Sequence, residues 1–184
     1  MYYIMGSQHH SLVSMISYPD MGWGLHFTKG EYLPPDFGAG NILIEFESDH
    51  SNLPDYFEID GTPIVSEKFV QLWNTLPIDN YQLFPITARF PSFVLQGHQI
   101  LNVVGREPCI DTEASDCNLY EGHIMRIKNL VLRSDLNKAL DFFRAEKYPL
   151  AIVISARITD LLKSSGLSGL LIMPADGWSD KHRF

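Results

Sequence analysis

Two stretches of the chain share one pattern, and that pattern constrains the fold more than any other feature. "IVSEKFVQLWNTLPIDNYQLFPI" runs from Ile64 to Ile86, and "VISARITDLLKSSGLSGLLIMP" from Val153 to Pro174. Each opens on aliphatic residues and a serine, Val65-Ser66 in one and Ile154-Ser155 in the other. Each has a basic residue two positions later (Lys68, Arg157) and a leucine six positions later (Leu72, Leu161). Each ends in an apolar run closed by proline, Phe84-Pro85 and Met173-Pro174. This reads as a strand, a helix cap, an amphipathic helix and a second strand. Serine suits the cap because its oxygen accepts a backbone N–H that the first helical turn leaves unpaired. Glu67 complements the positive end of the helix dipole. Phe69, Leu72, Trp73 and Leu76 form one apolar stripe, and Ile158, Leu161 and Leu162 another. Pro77 ends the first helix and Gly166 caps the second. Helices are therefore expected from Ser66 to Leu76 and over 156–164. Only two of the ten positions compared (64–73 against 153–162) are identical, so the pattern is shared more than the letters. Neither serine has a histidine or a glycine elbow beside it, as an activated nucleophile would. Both are assigned as structural caps.

Around these units the sequence predicts a short opening strand, "YYIM", and a loop-rich part up to Gly40 with a short strand near Leu25 to Phe27. "NILIEFES" alternates as a strand, with Ile42, Ile44 and Phe46 on one face. "DYFEIDGTPIV" reads as a hairpin turning at Asp60-Gly61. Residues 93–104 read as a hairpin or as a strand interrupted at Gly97, and "HIMRIKNLVLRSD" as a half-exposed strand. A third helix is expected over 135–147, with Leu136, Ala139, Leu140 and Phe143 inward. Residues 175–184 read as a polar tail. The expected architecture is α+β: a mixed, mainly antiparallel sheet backed by about three helices, in one domain over 1–184 with its core at 41–174.

The 184 residues carry 14 basic and 22 acidic side chains, a net charge of -8. That argues against nucleic acid, which needs a basic face. No run approaches the roughly 18 apolar residues that cross a bilayer, and "MYYIMGSQHH" lacks a signal-peptide core. A cytoplasmic setting is expected. Cys109 and Cys117, at C-x7-C spacing, are too few for a disulfide framework and match no zinc pattern. His9 and His10 are adjacent, the other histidines are scattered, and no H-E-x-x-H occurs. No catalytic residue, metal or cofactor is expected.

Two acidic concentrations remain. Residues 45–60 hold Glu45, Glu47, Asp49, Asp55, Glu58 and Asp60 with no Lys or Arg. Residues 109–122 hold Asp111, Glu113 and Asp116. Their spacing fits no calcium loop. They suit docking on a basic partner, where charge gives steering and specificity. Trp23, Tyr32, Tyr56, Tyr120 and Trp178 are the candidate aromatic anchors, whereas Trp73 belongs to the core. Partner-binding candidates are therefore Glu45, Glu47, Asp49, Asp55, Tyr56, Glu58, Asp60, Asp111, Glu113, Asp116 and Tyr120. A rival reading, a small hydrolase, needs Asp111, Glu113, His98 or His123 to converge in a cleft. A third is a regulatory module with a small-molecule pocket.

The ordered set "MYYIM", "DYFEIDGTPIVSEKFVQLW", "FPI", "ILNVVGREPCIDTEAS" and "FFRAEKYPLAIVISARITDLLKSSGLSGLLIMP" resembles the Imm11 family of bacterial immunity proteins, formerly DUF1629. The resemblance covers nearly the whole chain and is weakest from Ser7 to Gly40. It implies a protein that binds and neutralises a cognate toxin or effector, of a type VI or similar secretion system, without turnover. A homodimer is compatible with it. It carries over no catalytic residues.

Overall fold

A computed structural model describes residues 1–8, 14–17, 25–37, 42–50 and 52–183. His9, His10 and Trp23 lie outside the described residues. In chain order the elements are β1 (Tyr2–Ser7), β2 (Ser14–Ser17), a 3-10 turn (Leu25–Thr28), β3 (Ile42–Phe46), β4 (Tyr56–Ile59) and β5 (Thr62–Ser66). Then come α1 (Glu67–Trp73), β6 (Tyr81–Arg89), β7 (Val94–Leu95), β8 (His98–Val103), β9 (Arg106–Glu107), β10 (Asp116–Tyr120) and β11 (His123–Asn129). The chain closes with β12 (Phe142–Ala145), β13 (Tyr148–Ser155), α2 (Ala156–Ser164), β14 (Leu170–Pro174) and a 3-10 turn (Asp180–Arg183).

The helix-backed α+β sheet is overturned. The chain is mostly β, 44% strand against 14% helix, with several sheets and two α-helices among the described residues. One sheet runs β2-β3-β6-β8-β5-β4 with β7 also on β6, a second runs β14-β1-β13-β12-β9, and β10-β11 is a separate two-stranded ribbon. The helix expected over 135–147 is absent: 142–145 is a buried strand paired with β13. The expected strand near Leu25 is a 3-10 turn. The interruption at Gly97 is real: β7 and β8 both pair antiparallel with β6, one residue out of step across it. The expected polar tail is partly core, with Ala175, Trp178 and Asp180 buried.

The two similar stretches are one structural unit built twice. In the first, β4 pairs β5, β5 pairs β8 and β8 pairs β6, all antiparallel. In the second, β12 pairs β13, β13 pairs β1 and β1 pairs β14, again all antiparallel. The registers coincide. Val65 faces Tyr56 and Gln99, and Gln99 faces Pro85. Ile154 faces Phe142 and Tyr3, and Tyr3 faces Pro174. One difference is a three-residue bulge, 149–151, where the β12–β13 register slips. The other is connectivity: β8 follows β6 in the chain, whereas its counterpart β1 is the first strand.

The inner faces meet in a shared core. Phe69, Val70 and Trp73 stand three, four and seven residues after Ser66, and Ile158 and Leu162 stand three and seven after Ser155. All pack together with Tyr56, Phe142, Val65, Ile154, Leu101 and Met5. The outer faces differ. Phe57, Ile64 and Ile100 are covered by Phe27, Phe37 and the β3 residues, and Ile4, Phe143 and Val153 by Ile124, Ile127, Leu130 and Trp178. The units also grip each other reciprocally at matched points. Asn80, just before β6, donates from its side chain to the Phe142 carbonyl at 2.7 Å. Before β14, the Ser168 carbonyl accepts from Tyr56 N–H at 3.1 Å. A Cβ on Gly169 would lie 2.2 Å from the Tyr56 carbonyl, so only glycine fits there.

Candidate interaction surface

Each cap serine answers to an aspartate: Ser66 to Asp55, expected as a partner-binding residue, and Ser155 to Asp141, which was not singled out. Ser66 caps α1 as expected, its hydroxyl accepting from Phe69 N–H at 3.2 Å. That hydroxyl donates to Asp55 Oδ1 at 2.7 Å, and Lys68 Nζ stands 3.6 Å from Asp55 Oδ2. Ser155 holds the cap position of α2 but makes no side-chain cap bond. It donates instead to Asp141, which also pairs with Arg157. In both units the backbone closes the same loop, Ser66 N–H to the Asp55 carbonyl and Ser155 N–H to the Asp141 carbonyl, each at 2.9 Å. Partial burial opposes ionisation of Asp55, but the Ser168 N–H, the Ser66 and Ser168 hydroxyls and Lys68 outweigh it and hold its carboxyl below the usual range. At Asp141 partial burial is likewise outweighed, by Arg157 and Ser155. These are structural clamps. The available signal was "DYFE" at 55 and "DFFR" at 141, an aspartate leading each hairpin.

The acids of 45–60 are largely committed inside the molecule. Glu45 pairs with Arg89 at 3.1 Å. Asp49 accepts from the Ser92 N–H and hydroxyl at 3.1 and 2.7 Å, tying down the loop between β6 and β7. Tyr56, expected as an anchor, is fully buried and donates to Glu58 at 2.7 Å. Asp60 sits in the β4–β5 turn with φ 49, followed by Gly61 at φ 77, and is exposed. Glu47 is exposed as well. Trp178 is another correction, at 3% exposure.

The second acidic region builds a different object. Asp111 accepts from the N–H groups of Glu113 and Ala114, which folds its own loop. Asp116 lies 3.8 Å from Lys128. From there the chain forms the β10–β11 ribbon, turning at Glu121-Gly122 with φ 49 and 81. Ile124 and Ile127 are buried and Cys117 packs beside them. Asp180 accepts from Ile127 N–H at 3.1 Å and fixes the ribbon to the C-terminal turn. The end of the ribbon near its turn is bare: Leu119 is 52%, Tyr120 64% and Met125 59% exposed. Register shifts leave Met125 as an extra residue of β11, between Ile124 opposite Leu119 and Arg126 opposite Asn118. Leu119 and Met125 were not singled out in the sequence, since their exposure depends on how the ribbon packs on the core.

The residues required for the hydrolase reading stand in separate parts of the fold. His98 opens β8 opposite Ser66, His123 is at the ribbon turn opposite Tyr120, and Asp111 folds its loop against Val131. The Ser66 hydroxyl donates to a carboxylate, not to an imidazole. Burial pushes the Cys109 thiol up to about 12, which keeps it protonated. Among the described residues, no group of three or more His, Cys, Asp or Glu side chains could hold a metal ion. A cavity of about 270 Å³ is lined by Leu162, Lys163, Leu167, Leu170 and Ile172 between α2 and β14. No helix of the described residues is long and apolar enough to cross a membrane.

Fold and surface together define a mainly β protein, with a scaffold unit built twice and one ribbon outside those units that exposes apolar side chains. The chain belongs to the Imm11 immunity protein family, whose model matches residues 26–175. No curated protein matches the chain. Membership assigns it an immunity role.

Proposed function

We propose that the protein binds a cognate toxin or effector and neutralises it by occlusion in the cytoplasm, the toxin being delivered by a type VI or similar secretion system. The family match over 26–175 carries this reading. The acidic balance supports it, because a net charge of -8 steers a basic partner into contact. Of the candidate acids, Glu47, Asp60 and Glu113 are the exposed ones for which neither an ion pair nor a side-chain hydrogen bond appears among the described residues. Asp49, Asp55 and Glu58 hold the fold and are poor probes of binding. The test is co-expression with the effector encoded beside this gene. The protein should restore growth and co-purify with the effector, and the complex should weaken as salt rises. Failure of both rescue and co-purification contradicts the reading.

A further inference from the structure

Resting on that reading, we propose that the turn end of the β10–β11 ribbon, which exposes Leu119, Tyr120 and Met125, is the anchor of the toxin interface, fitting a basic protein surface that offers an apolar recess. Single exposed apolar side chains are ordinary. Three of them on one short ribbon, each more than half exposed, are not scattered. β10 is also an edge strand, paired only with β11 among the described residues. Leu119 and Tyr120 on such an edge invite unwanted pairing, which edge strands ordinarily blunt with charge or proline.

The composition suits an interface centre. Tyr and Met are enriched there and bury large area. The support is firm: Ile124, Ile127 and Cys117 anchor the ribbon in the core, and Asp180 holds Ile127 N–H. The rim is acidic. Asp111, Glu113, Asp116 and Glu121 precede Met125 with no Lys or Arg between residues 107 and 125. Of the cations beside the ribbon, Arg126 and Lys128 stand 3.8 Å from Asp180 and Asp116 respectively, and Lys147 is a third, its carbonyl accepting from Ile124 N–H at 3.1 Å. Glu113 and Glu121 have no ion pair among the described residues. This charge selects the occupant. A second copy would bring the same acids against one another, whereas a basic partner neutralises them.

The rival apolar site, Phe93 and Val94, is weaker. Phe93 is 36% exposed and stacks on Phe90 at 4.4 Å, inside a loop that Asp49 ties down. The ribbon also lies outside the duplicated units, and its two strands pair with neither of their sheets.

The test uses the full chain and the effector domain encoded beside its gene, with affinity measured by calorimetry. Tyr120→Ala should weaken binding by about 30-fold or more. Met125→Ala and Leu119→Ala should each weaken it as well, and Glu121→Lys should slow association and flatten its salt dependence. Thermal melts should match the wild type, since these side chains are exposed, and Val94→Ala serves as the neutral control. If the wild type binds and all the ribbon variants bind within about threefold of it, the ribbon proposal is overturned and the immunity reading stands. If the wild type neither binds nor rescues, both fall. If the variants dissolve a dimer of this chain by sedimentation and leave effector binding unchanged, the occupant is a second copy and the proposal is wrong.

Discussion

Asp55 gathers four interactions at one carboxylate: hydroxyls from Ser66 and Ser168, the Ser168 N–H and Lys68. It joins the start of β4, the cap of α1 and the turn before β14. Asp141 does the same for β12 and α2 through Ser155 and Arg157. Both carboxyls titrate below their ordinary value. The stability they contribute is therefore complete above the unfolded carboxylate pKa of 3.8 and is lost as pH falls through the lower folded values. Asp55→Asn with Asp141→Asn should lower the melting temperature at pH 7 and reduce its loss on acidification below about pH 4. An acid limb as steep as the wild type's would refute the clamps. Ser66→Ala should cost about 1 kcal/mol as a lost cap. Ser155→Ala should cost a similar ~0.5–1.5 kcal/mol, by loss of its bond to Asp141. Ser66 was legible because capping is local. The role of the aspartates was not, because each acts across a hairpin, 11 and 14 residues away in sequence.

At the scale of elements, residues 135–147 show why apolar spacing misleads. Leu136, Ala139, Leu140 and Phe143 recur as on a helix, yet Phe142, Phe143, Arg144 and Ala145 are all buried as a central strand. Tertiary pairing decides a short apolar run that periodicity leaves ambiguous. Arg144 is the least strand-like of them and is fully buried. Its guanidinium donates to the Pro149 carbonyl at 2.6 Å, inside the β13 bulge, and to the Gly61 carbonyl at 3.2 Å in the other unit's turn. The bulge thus supplies an acceptor that the ungapped β4–β5 hairpin lacks. Arg144→Ala strands buried carbonyls, and a cost of about 1–3 kcal/mol is expected in urea melts. Arg144→Lys should recover little of it, since an ammonium has no planar fork to span both acceptors. Wild-type stability in Arg144→Lys would show that charge alone suffices. The helices and the β4–β5 hairpin were readable from caps, stripes and the Asp60-Gly61 turn, all short-range signals. The sheet order and the place of β1 depend on contacts between distant parts of the chain and left no local trace.

For the whole molecule, the duplicated units share one core, so neither can open without exposing the other. Phe69 and Trp73 of α1 pack in the same cluster as Ile158 and Leu162 of α2. Unfolding should therefore be a single transition, with far-ultraviolet circular dichroism and tryptophan fluorescence coincident. Two resolved transitions would mean that the units are separate domains. Symmetry in the scaffold also directs attention to what is not repeated. The β10–β11 ribbon is such a part, and it carries Tyr120, which with Tyr32 is one of the two candidate anchors that are described and more than half exposed. The most direct measurement is growth rescue against the neighbouring effector, with the wild type compared with the Tyr120→Ala, Met125→Ala double variant at equal expression. The wild type should restore growth, and the double variant should fail while melting normally. Full rescue by the double variant, or none by the wild type, would contradict the account.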